Sequence, residues 1–355
     1  MAEIQIVNIG SSANDGTGDT IRAGMDKVND NFANFKIEGT NFTGSILIGH
    51  STTGTLSSAT GNTGVGITAL DAITSGDYNT ALGYGTGTSI TTGQNNTIMG
   101  AFAGDALTQG AANVAIGYSA LGTEDAHGTN VAVGYQTLRN QNAGADAYNT
   151  AVGYNAGLSV TTAPETTLVG GLAGDALTTG NGNTAIGYGA LSTEDTGGGN
   201  TAIGRKALFT QDTGNDAYNT AVGYNAGLSI TDGVQNTIIG GSAGDALTSG
   251  AKNVAIGYQA LSTEDGHGRN VAVGFQALRL QDAGAEAYNV AIGYDAGGAI
   301  TTSVKNIIVG AEAGDALTSG SFNIAIGFRA LSDENTSNGS TAVGYFSLNK
   351  QNSSS

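Results

Sequence analysis

Short apolar runs of three residues recur along most of this chain, and a glycine follows each run. In a typical example, Asn253 precedes Val254, Ala255 and Ile256, and Gly257 follows them. Such residues favour β-strands, and apolar side chains at all three positions indicate a strand that is buried on both faces. The glycine supplies a positive-φ corner or room for a neighbouring backbone. The segments between the runs have the Gly, Thr, Asp and Asn content that is typical of turns.

We call the residue before each run, the run itself and the following glycine the repeated phrase, and its spacing along the chain is regular. It recurs every 17 residues, and steps of 19 residues at three places give a longer period of 70 residues with four coils. A fixed period of this kind is the signature of a solenoid. We therefore predict an all-β fold, a parallel β-roll or β-helix of about 18 coils over residues 45–355, roughly 85 Å long. The first residue of the phrase, position 1 of each coil, is Ser45, Asn62, Asn79, Asn96, Asn113, Asn130, Asn149, Thr166, Asn183, Asn200, Asn219, Asn236, Asn253, Asn270, Asn289, Asn306, Asn323 or Ser340.

Three positions of the coil carry packing hypotheses. The Asn residues at position 1 either form a hydrogen-bonded ladder or suit the turn that enters each strand, and both can hold at once. Position 3 is usually Ala and position 6 Tyr or Phe, but every fourth coil reverses the sizes, as in Ile238 with Gly241. We interpret this exchange as two side chains that fill one space, and the alternative is inheritance from a duplicated 70-residue unit. The position-6 aromatics are expected to pack the roll, with sugar stacking as the alternative.

The apolar residues on both strand faces also bear on assembly. A single roll has one interior, so the second apolar face is expected to meet other copies of the chain. A closed homotrimer is the simplest arrangement that hides this face.

Residues 1–44 contain no repeat. A plausible N-cap at Asp19 or Thr20 precedes apolar residues spaced 4 and 3 apart, which predicts a short helix. This helix either joins a short parallel bundle, docks against another surface or caps the first coil. Its apolar residues are Ile21, Met25, Val28, Phe32 and Phe35.

Composition and charge narrow the function. The chain has 59 Gly, one Pro and no Cys, and a formal net charge of −17 with only 12 Lys and Arg residues. Disulfides are therefore excluded, and an acidic chain without a basic patch argues against nucleic-acid binding. No secretory signal is recognised, and no apolar run is long enough for a membrane span. We expect folding in the cytoplasm without membrane insertion.

Acidic pairs recur at one phase of the 70-residue period. Paired carboxylates serve glycoside hydrolysis, and clustered oxygen ligands hold Ca²⁺. The pairs follow the repeat instead of breaking it, so we interpret them as solvated turn acids and predict no catalytic residue, cofactor or metal site. His127 and His267 lie too far apart in the sequence to share a metal. The acidic residues are Glu124, Asp125, Glu194, Asp195, Glu264 and Asp265, with Asp105, Asp175, Asp245 and Asp315 at another position.

Two resemblances follow from these motifs. The phrases NVAIGYQAL and NTAIGYGAL resemble the head repeats of trimeric autotransporter adhesins, which form parallel β-rolls in tightly packed trimers, and similar phrases occur in bacteriophage tail-fibre and tail-spike proteins. This resemblance covers residues 45 to about 350, although the coil is longer than is usual in the adhesin heads. The segment IGSSANDGTGDTIRAGMDKVNDNFANF is similar to the N-terminus of many phage virion fibre proteins, notably of cyanophages.

The second resemblance implies that residues 1–44 join the fibre to other phage tail or baseplate proteins. The matching residues include Asn14 and Asn31. The residues expected to serve virion attachment are Asp15, Gly16, Thr17, Gly18, Asp19, Ile21, Arg22, Met25, Asp26, Val28 and Phe32.

Together the resemblances imply a structural virion fibre, a homotrimeric tail or side fibre that links the phage to its host and is not an enzyme. An autotransporter would need a signal peptide and a C-terminal membrane barrel, which are not recognised in this sequence. Two alternatives stay open: a glycan-binding adhesin whose roll binds host-surface polysaccharide, and a neck or collar fibre. An ice-binding solenoid would need a regular Thr array, and position 2 alternates irregularly. A separate tip protein is a further possible partner.

Overall fold

The computed structural model describes residues 35–39, 42–48, 57–333 and 335–349. Over these residues the protein is an all-β parallel β-solenoid of about 17–18 turns, and no helix occurs in them. The predicted N-terminal helix falls in residues 1–34, outside the described residues. The predicted solenoid fold is confirmed.

Twenty strands follow one another in the described residues, and β4 to β20 each occupy positions 2–4 of a coil. Their bounds are β1 Phe35–Gly39, β2 Phe42–Ile48, β3 Ala59–Thr60, β4 Thr63–Val65, β5 Thr80–Leu82, β6 Thr97–Met99, β7 Val114–Ile116, β8 Val131–Val133, β9 Thr150–Val152, β10 Thr167–Val169, β11 Thr184–Ile186, β12 Thr201–Ile203, β13 Thr220–Val222, β14 Thr237–Ile239, β15 Val254–Ile256, β16 Val271–Val273, β17 Val290–Ile292, β18 Ile307–Val309, β19 Ile324–Ile326 and β20 Thr341–Val343.

The chain divides into two compact units, residues 1–135 with 144–146, and residues 136–143 with 147–355. In the first unit, β2 and β4 to β8 pair in sequence order as parallel neighbours. In the second unit, β9 to β20 do the same. The pairing is in register, so each residue stacks on the residue at the same position of the next coil.

An antiparallel hairpin precedes the first coils. β1 pairs with β2, with Phe35 opposite Ile48, and the other edge of β2 pairs in parallel with β4. Phe35 was predicted to continue the helical spacing, and this is wrong, because Phe35 begins β1. A single Phe fits both spacings, and its pairing with β2 decides between them. Strand β2 also crosses the predicted boundary between residues 44 and 45.

Backbone hydrogen bonds join successive coils in the turns as well as in the strands. The backbone N–H of Gly257 donates to the Ile239 carbonyl at 2.7 Å, and that of Leu261 donates to the Ala277 carbonyl at 3.0 Å. A Cβ atom at Gly257 (φ +135°) would overlap the carbonyl group of Gly274, whose carbon would lie only 2.5 Å away. Position 5 is therefore Gly because the next coil leaves no space there.

The predicted Asn ladder is confirmed, and it joins side chains to backbone. Asn236 is buried, and its Oδ1 accepts a hydrogen bond from the backbone N–H of Asn253 at 2.9 Å. Its Nδ2 donates to the Gly250 carbonyl of its own coil, also at 2.9 Å. The Asn236 amide thus bonds to the next coil and also fixes the turn that closes its own coil, so both hypotheses for position 1 hold.

The strands are buried on one face, which corrects the prediction of two buried faces. In β15 the central Ala255 is fully buried, whereas Val254 and Ile256 are only half-buried. Residues at positions 2 and 4 point away from the interior because side chains alternate along a strand. Sequence alone could not tell an outer apolar face from an inner one.

The predicted size exchange between positions 3 and 6 is also wrong. Gly241 lies at position 6 on the outside, where a Cβ atom would contact only the ring of Tyr258 in the next coil, at 3.4 Å. Ile238 at position 3 points inward and is fully buried. The two positions therefore lie on opposite sides of the backbone and share no space.

Between the coil of Ile238 and the next coil, position 9 is the one that exchanges size with position 3. A Cβ atom at Gly244 would lie 3.2 Å from Cδ1 of Ile238 and 2.8 Å from Cδ1 of Leu247. In the next coil position 3 is Ala255 and position 9 is Leu261, both fully buried. Gly244 (φ +50°) and Leu261 (φ +51°) share the same left-handed conformation, so the turn is kept and only the volume is exchanged.

This exchange yields a prediction for a double-mutant cycle measured by urea unfolding. Ile238→Ala should cost about 2–5 kcal/mol through the cavity it leaves. Gly244→Leu should cost about 1–3 kcal/mol because it overfills the same coil. The double variant should lose at least about 1 kcal/mol less than the sum, since contacting residues couple.

The matched control combines Ile238→Ala with Gly241→Tyr, whose effects should add because position 6 lies outside. Additive effects for Ile238 and Gly244, or coupling in the control, would contradict the assignment of position 9.

Candidate functional site

The eleven residues expected to serve virion attachment, from Asp15 to Phe32, lie outside the described residues. Two other features of the described residues are candidates for function. One is an exposed apolar face on each compact unit, and the other is a set of buried carboxylates at a corner of the coil.

The position-6 aromatics form stacks on the outer surface. In the second unit, the ring of Phe275 lies 5.6 Å from Tyr258 and 5.2 Å from Tyr294, with nearly parallel planes. In the first unit, Tyr118 and Tyr135 stack at 5.4 Å. These rings remain exposed, for example 51% for Tyr258. The expectation that they fill the roll is therefore wrong, because position 6 follows the outward-facing position 4 across the Gly corner.

Outer strand residues extend this apolar surface. Ile292 at position 4 is 41% exposed and Ile307 at position 2 is 44% exposed. Aromatic residues at the last position of several coils are exposed as well, including Tyr218 and Phe322. Apolar surface that repeats coil after coil is characteristic of an interaction site. We call positions 2, 4 and 6 of the coils the outer apolar face.

The acidic pairs were predicted to be solvated, and for their Glu members this is wrong. Glu124, Glu194 and Glu264 are fully buried at position 12, whereas the Asp that follows each of them is exposed. Position 12 points into the roll. In the other described coils it is Leu, Ile or Val or, in the coil that follows each of these Glu residues, a buried Gln (Gln141, Gln211 and Gln281). The recurrence of Glu and Gln at a position that is otherwise apolar was the available sequence signal, and the interpretation of the pairs as turn residues missed it.

Hydrogen bonds satisfy the buried Glu194 completely. Its Oε1 accepts from the Gly197 backbone N–H at 2.7 Å. Its Oε2 accepts from Gln211 Nε2 at 3.1 Å and from the backbone N–H and hydroxyl of Thr213, both at 3.3 Å. Buried carboxylates need such partners because desolvation is costly.

The equivalent Glu264 has fewer partners. Its Oε1 accepts from the His267 backbone N–H at 3.1 Å, and Oε2 accepts no hydrogen bond from the described residues. Burial raises the pKa of Glu264, and the nearby Asp282 carboxylate acts in the same direction. The backbone N–H groups of His267 and, most weakly, Ala283 oppose the rise in pKa.

These carboxylates form three clusters of possible metal ligands, with ligand atoms within 4.8 Å of one another in each. The clusters are Glu124 with Asp125 and His127, Glu194 with Asp195 and Asp212, and Glu264 with Asp265, His267 and Asp282.

The carboxylate of Asp315, at position 10, has a raised pKa. Its pKa rises to about 6, first because the group is partly buried and second because the Glu312 carboxylate is near. Its Oδ1 accepts no hydrogen bond from the residues that the structure describes. The pKa of the equivalent Asp175 is raised by burial too, but there the Ser192 hydroxyl donates to Oδ1 at 2.5 Å and opposes the rise.

A pH-dependent change in stability follows for Asp315. A folded-state pKa of about 6 exceeds the unfolded value near 3.9, so this group's contribution to stability is complete below that value and is lost as pH rises through 6. Asp315→Asn removes the ionisation. The melting temperature of this variant relative to the unsubstituted protein should therefore rise between about pH 4 and pH 7.5.

Asp175→Asn is the matched control. Its melting temperature relative to the unsubstituted protein should rise less with pH, because the ionised Asp175 carboxylate accepts a hydrogen bond from Ser192. A difference in melting temperature that stays constant with pH would contradict the assignment for Asp315.

The described segments contain no helix with the length and apolar character needed to cross a membrane. The chain has no match among known protein-family models, curated proteins or solved structures.

Proposed function

We propose that this protein is a structural fibre of a phage virion, a homotrimeric tail or side fibre rather than an enzyme. The observation that carries the proposal is the outer apolar face. Its exposed Ile, Val, Tyr and Phe side chains recur at the same positions of successive coils in each unit. Such a face is costly to leave in water and favours a protein partner.

The period of the face favours a second copy of the chain as that partner. Parallel copies related by rotation about the solenoid direction place identical coils side by side, so every apolar position meets an apolar position. A closed ring of three copies covers the face without leaving an open end for further addition. A partner with another repeat length would lose this match after a few coils.

The virion role rests on the similarity of residues 9–35 to the N-termini of phage fibre proteins. In this proposal the N-terminal segment binds tail or baseplate proteins, and the solenoid acts as a spacer toward the host. The fibre is then assembled in the host cytoplasm and resides in the phage tail. A neck or collar fibre would use the same assembly at another place on the particle.

The exposed rings favour a second candidate, a glycan-binding adhesin. Sugar rings stack on exposed aromatic faces, and Tyr118 with Tyr135 presents two nearly parallel rings at 5.4 Å. This function needs the rings to stay accessible in the assembled protein. The trimer instead places them at or near the contact between copies.

Substitution of one outer residue tests the trimer. The purified protein should show three times the chain mass by light scattering. Ile292→Asp puts a charge on the outer apolar face and should reduce the mass to that of one chain, since an unpaired buried charge is strongly unfavourable. The β circular dichroism should stay, because Ile292 points away from the roll interior.

Thr302→Asp adds the same charge to an exposed turn position of the same coil and should keep the trimer. A monomeric unsubstituted protein would contradict the trimer and leave the aromatic face free for glycan.

Truncation tests the attachment segment. A chain that begins at Phe35 keeps β1 and all following strands. It should therefore keep its β circular dichroism, and light scattering should still give three times the mass of one truncated chain. It should be absent from assembled particles, whereas the full chain is incorporated. Incorporation of the truncated chain would show that attachment lies elsewhere, and loss of the fold would identify residues 1–34 as a cap or trimerisation segment.

A further inference from the structure

One of the three buried-carboxylate clusters is distinct in its composition. Glu264, Asp265, His267 and Asp282 place their ligand atoms within 4.8 Å of one another. Glu264 is fully buried, Asp265 and Asp282 are exposed, and His267 is partly exposed. The cluster therefore extends from the interior to the solvent, which gives an ion a path of entry.

Two buried atoms of this cluster lack a hydrogen-bond partner among the described residues. They are Oε2 of Glu264 and Nδ1 of His267. The His267 Nδ1 lies 3.5 Å from the Glu264 Oε1, which is too long for a good hydrogen bond. An unpaired buried carboxylate oxygen is costly, and both atoms are common metal ligands.

Substitutions between equivalent coils explain why Glu264 is unsatisfied. Ala283 stands where the second cluster has Thr213, so the hydroxyl donor is missing. Gln281 directs its Nε2 to the Thr301 carbonyl at 3.2 Å, whereas its counterpart in the second cluster donates to the Glu. The carboxylate of Glu264 therefore has two donors fewer than that of Glu194, and His267 lies beside it.

We propose that Glu264, Asp265, His267 and Asp282 bind a divalent transition-metal ion of the Zn²⁺ class. An imidazole nitrogen suits Zn²⁺ and its neighbours, whereas Ca²⁺ and Mg²⁺ prefer oxygen ligands alone. The three carboxylates repel one another, and a dication removes that repulsion.

The distances allow tetrahedral coordination after a small adjustment. Zn²⁺ with ligands at about 2.0–2.2 Å separates the ligand atoms by roughly 3.3–3.6 Å. The exposed Asp265 and Asp282 side chains can move inward by about an ångström, while the buried Glu264 fixes the inner ligand position.

The other two clusters serve as natural comparisons. Protein donors satisfy Glu194, and Gly197 replaces the histidine, so this cluster needs no cation. The first cluster contains His127, but Asn142 stands where Asp282 does, so it offers one carboxylate fewer. We expect one tight site per chain.

Titration of the full-length protein with ZnCl₂ in a calorimeter tests the proposal. One saturable Zn²⁺ should bind per chain and raise the melting temperature, because a ligand that binds only the folded state stabilises it. His267→Gly and Asp282→Asn should each weaken binding by about tenfold or more, since each removes a ligand. Both replacements occur naturally at the equivalent positions 197 and 142, so both variants should fold.

Glu194→Gln is the matched control and should leave affinity and stoichiometry unchanged. Co²⁺ used as a spectroscopic probe should give a visible absorption band that His267→Gly abolishes. The proposal is overturned if Zn²⁺ does not bind saturably, or if its binding survives both ligand substitutions. Saturable Ca²⁺ binding without Zn²⁺ binding would overturn the transition-metal class.

Discussion

Each coil of this solenoid must present its backbone to the next coil at the same height and in the same conformation, and the in-register hydrogen bonding between coils depends on this match. The buried Asn of position 1 enforces it, because Asn236 bonds both to the next coil and to its own turn. Position 5 adds a steric condition, since a side chain at Gly257 would collide with Gly274. The non-glycine residues at positive φ follow from the same condition. Leu261 accepts a left-handed conformation because inter-coil hydrogen bonds hold its turn.

The interior of each coil is narrow, so the inward-facing positions must share a limited side-chain volume. Large and small residues are distributed differently from coil to coil: position 3 is large in the coil of Ile238 and Gly244, whereas position 9 is large in the coil of Ala255 and Leu261. In the same narrow space, the carboxylate of Glu194 is surrounded by hydrogen-bond donors. Glu264 lacks those donors and lies beside a histidine at the surface. This is the place where the repeat departs most clearly from a purely structural pattern.

The exterior has the opposite character, because none of the residues that the structure describes covers the outer apolar face. Aromatic stacking along position 6 orders these rings without burying them, as for Phe275 between Tyr258 and Tyr294. A regular face of this kind connects the fold to the proposed fibre assembly. The two proposals are independent: the fibre assembly rests on the outer apolar face, whereas the metal site rests on the carboxylate corner.

The sequence by itself determined the parallel coil and its 17-residue period, because both depend on a local pattern repeated at fixed spacing. The Asn ladder was one of two hypotheses that the same pattern allowed. Only the tertiary structure decided which side of each three-residue strand is the interior. A run such as Val254, Ala255 and Ile256 is apolar throughout, and its inward residue is fixed by the path of the whole coil. For the same reason the partner of Ile238 proved to be position 9, and Glu264 proved to be buried. The spacing of residues along the chain does not specify the neighbours of Ile238 and Glu264, because the folded path of the coils and turns brings those neighbours together.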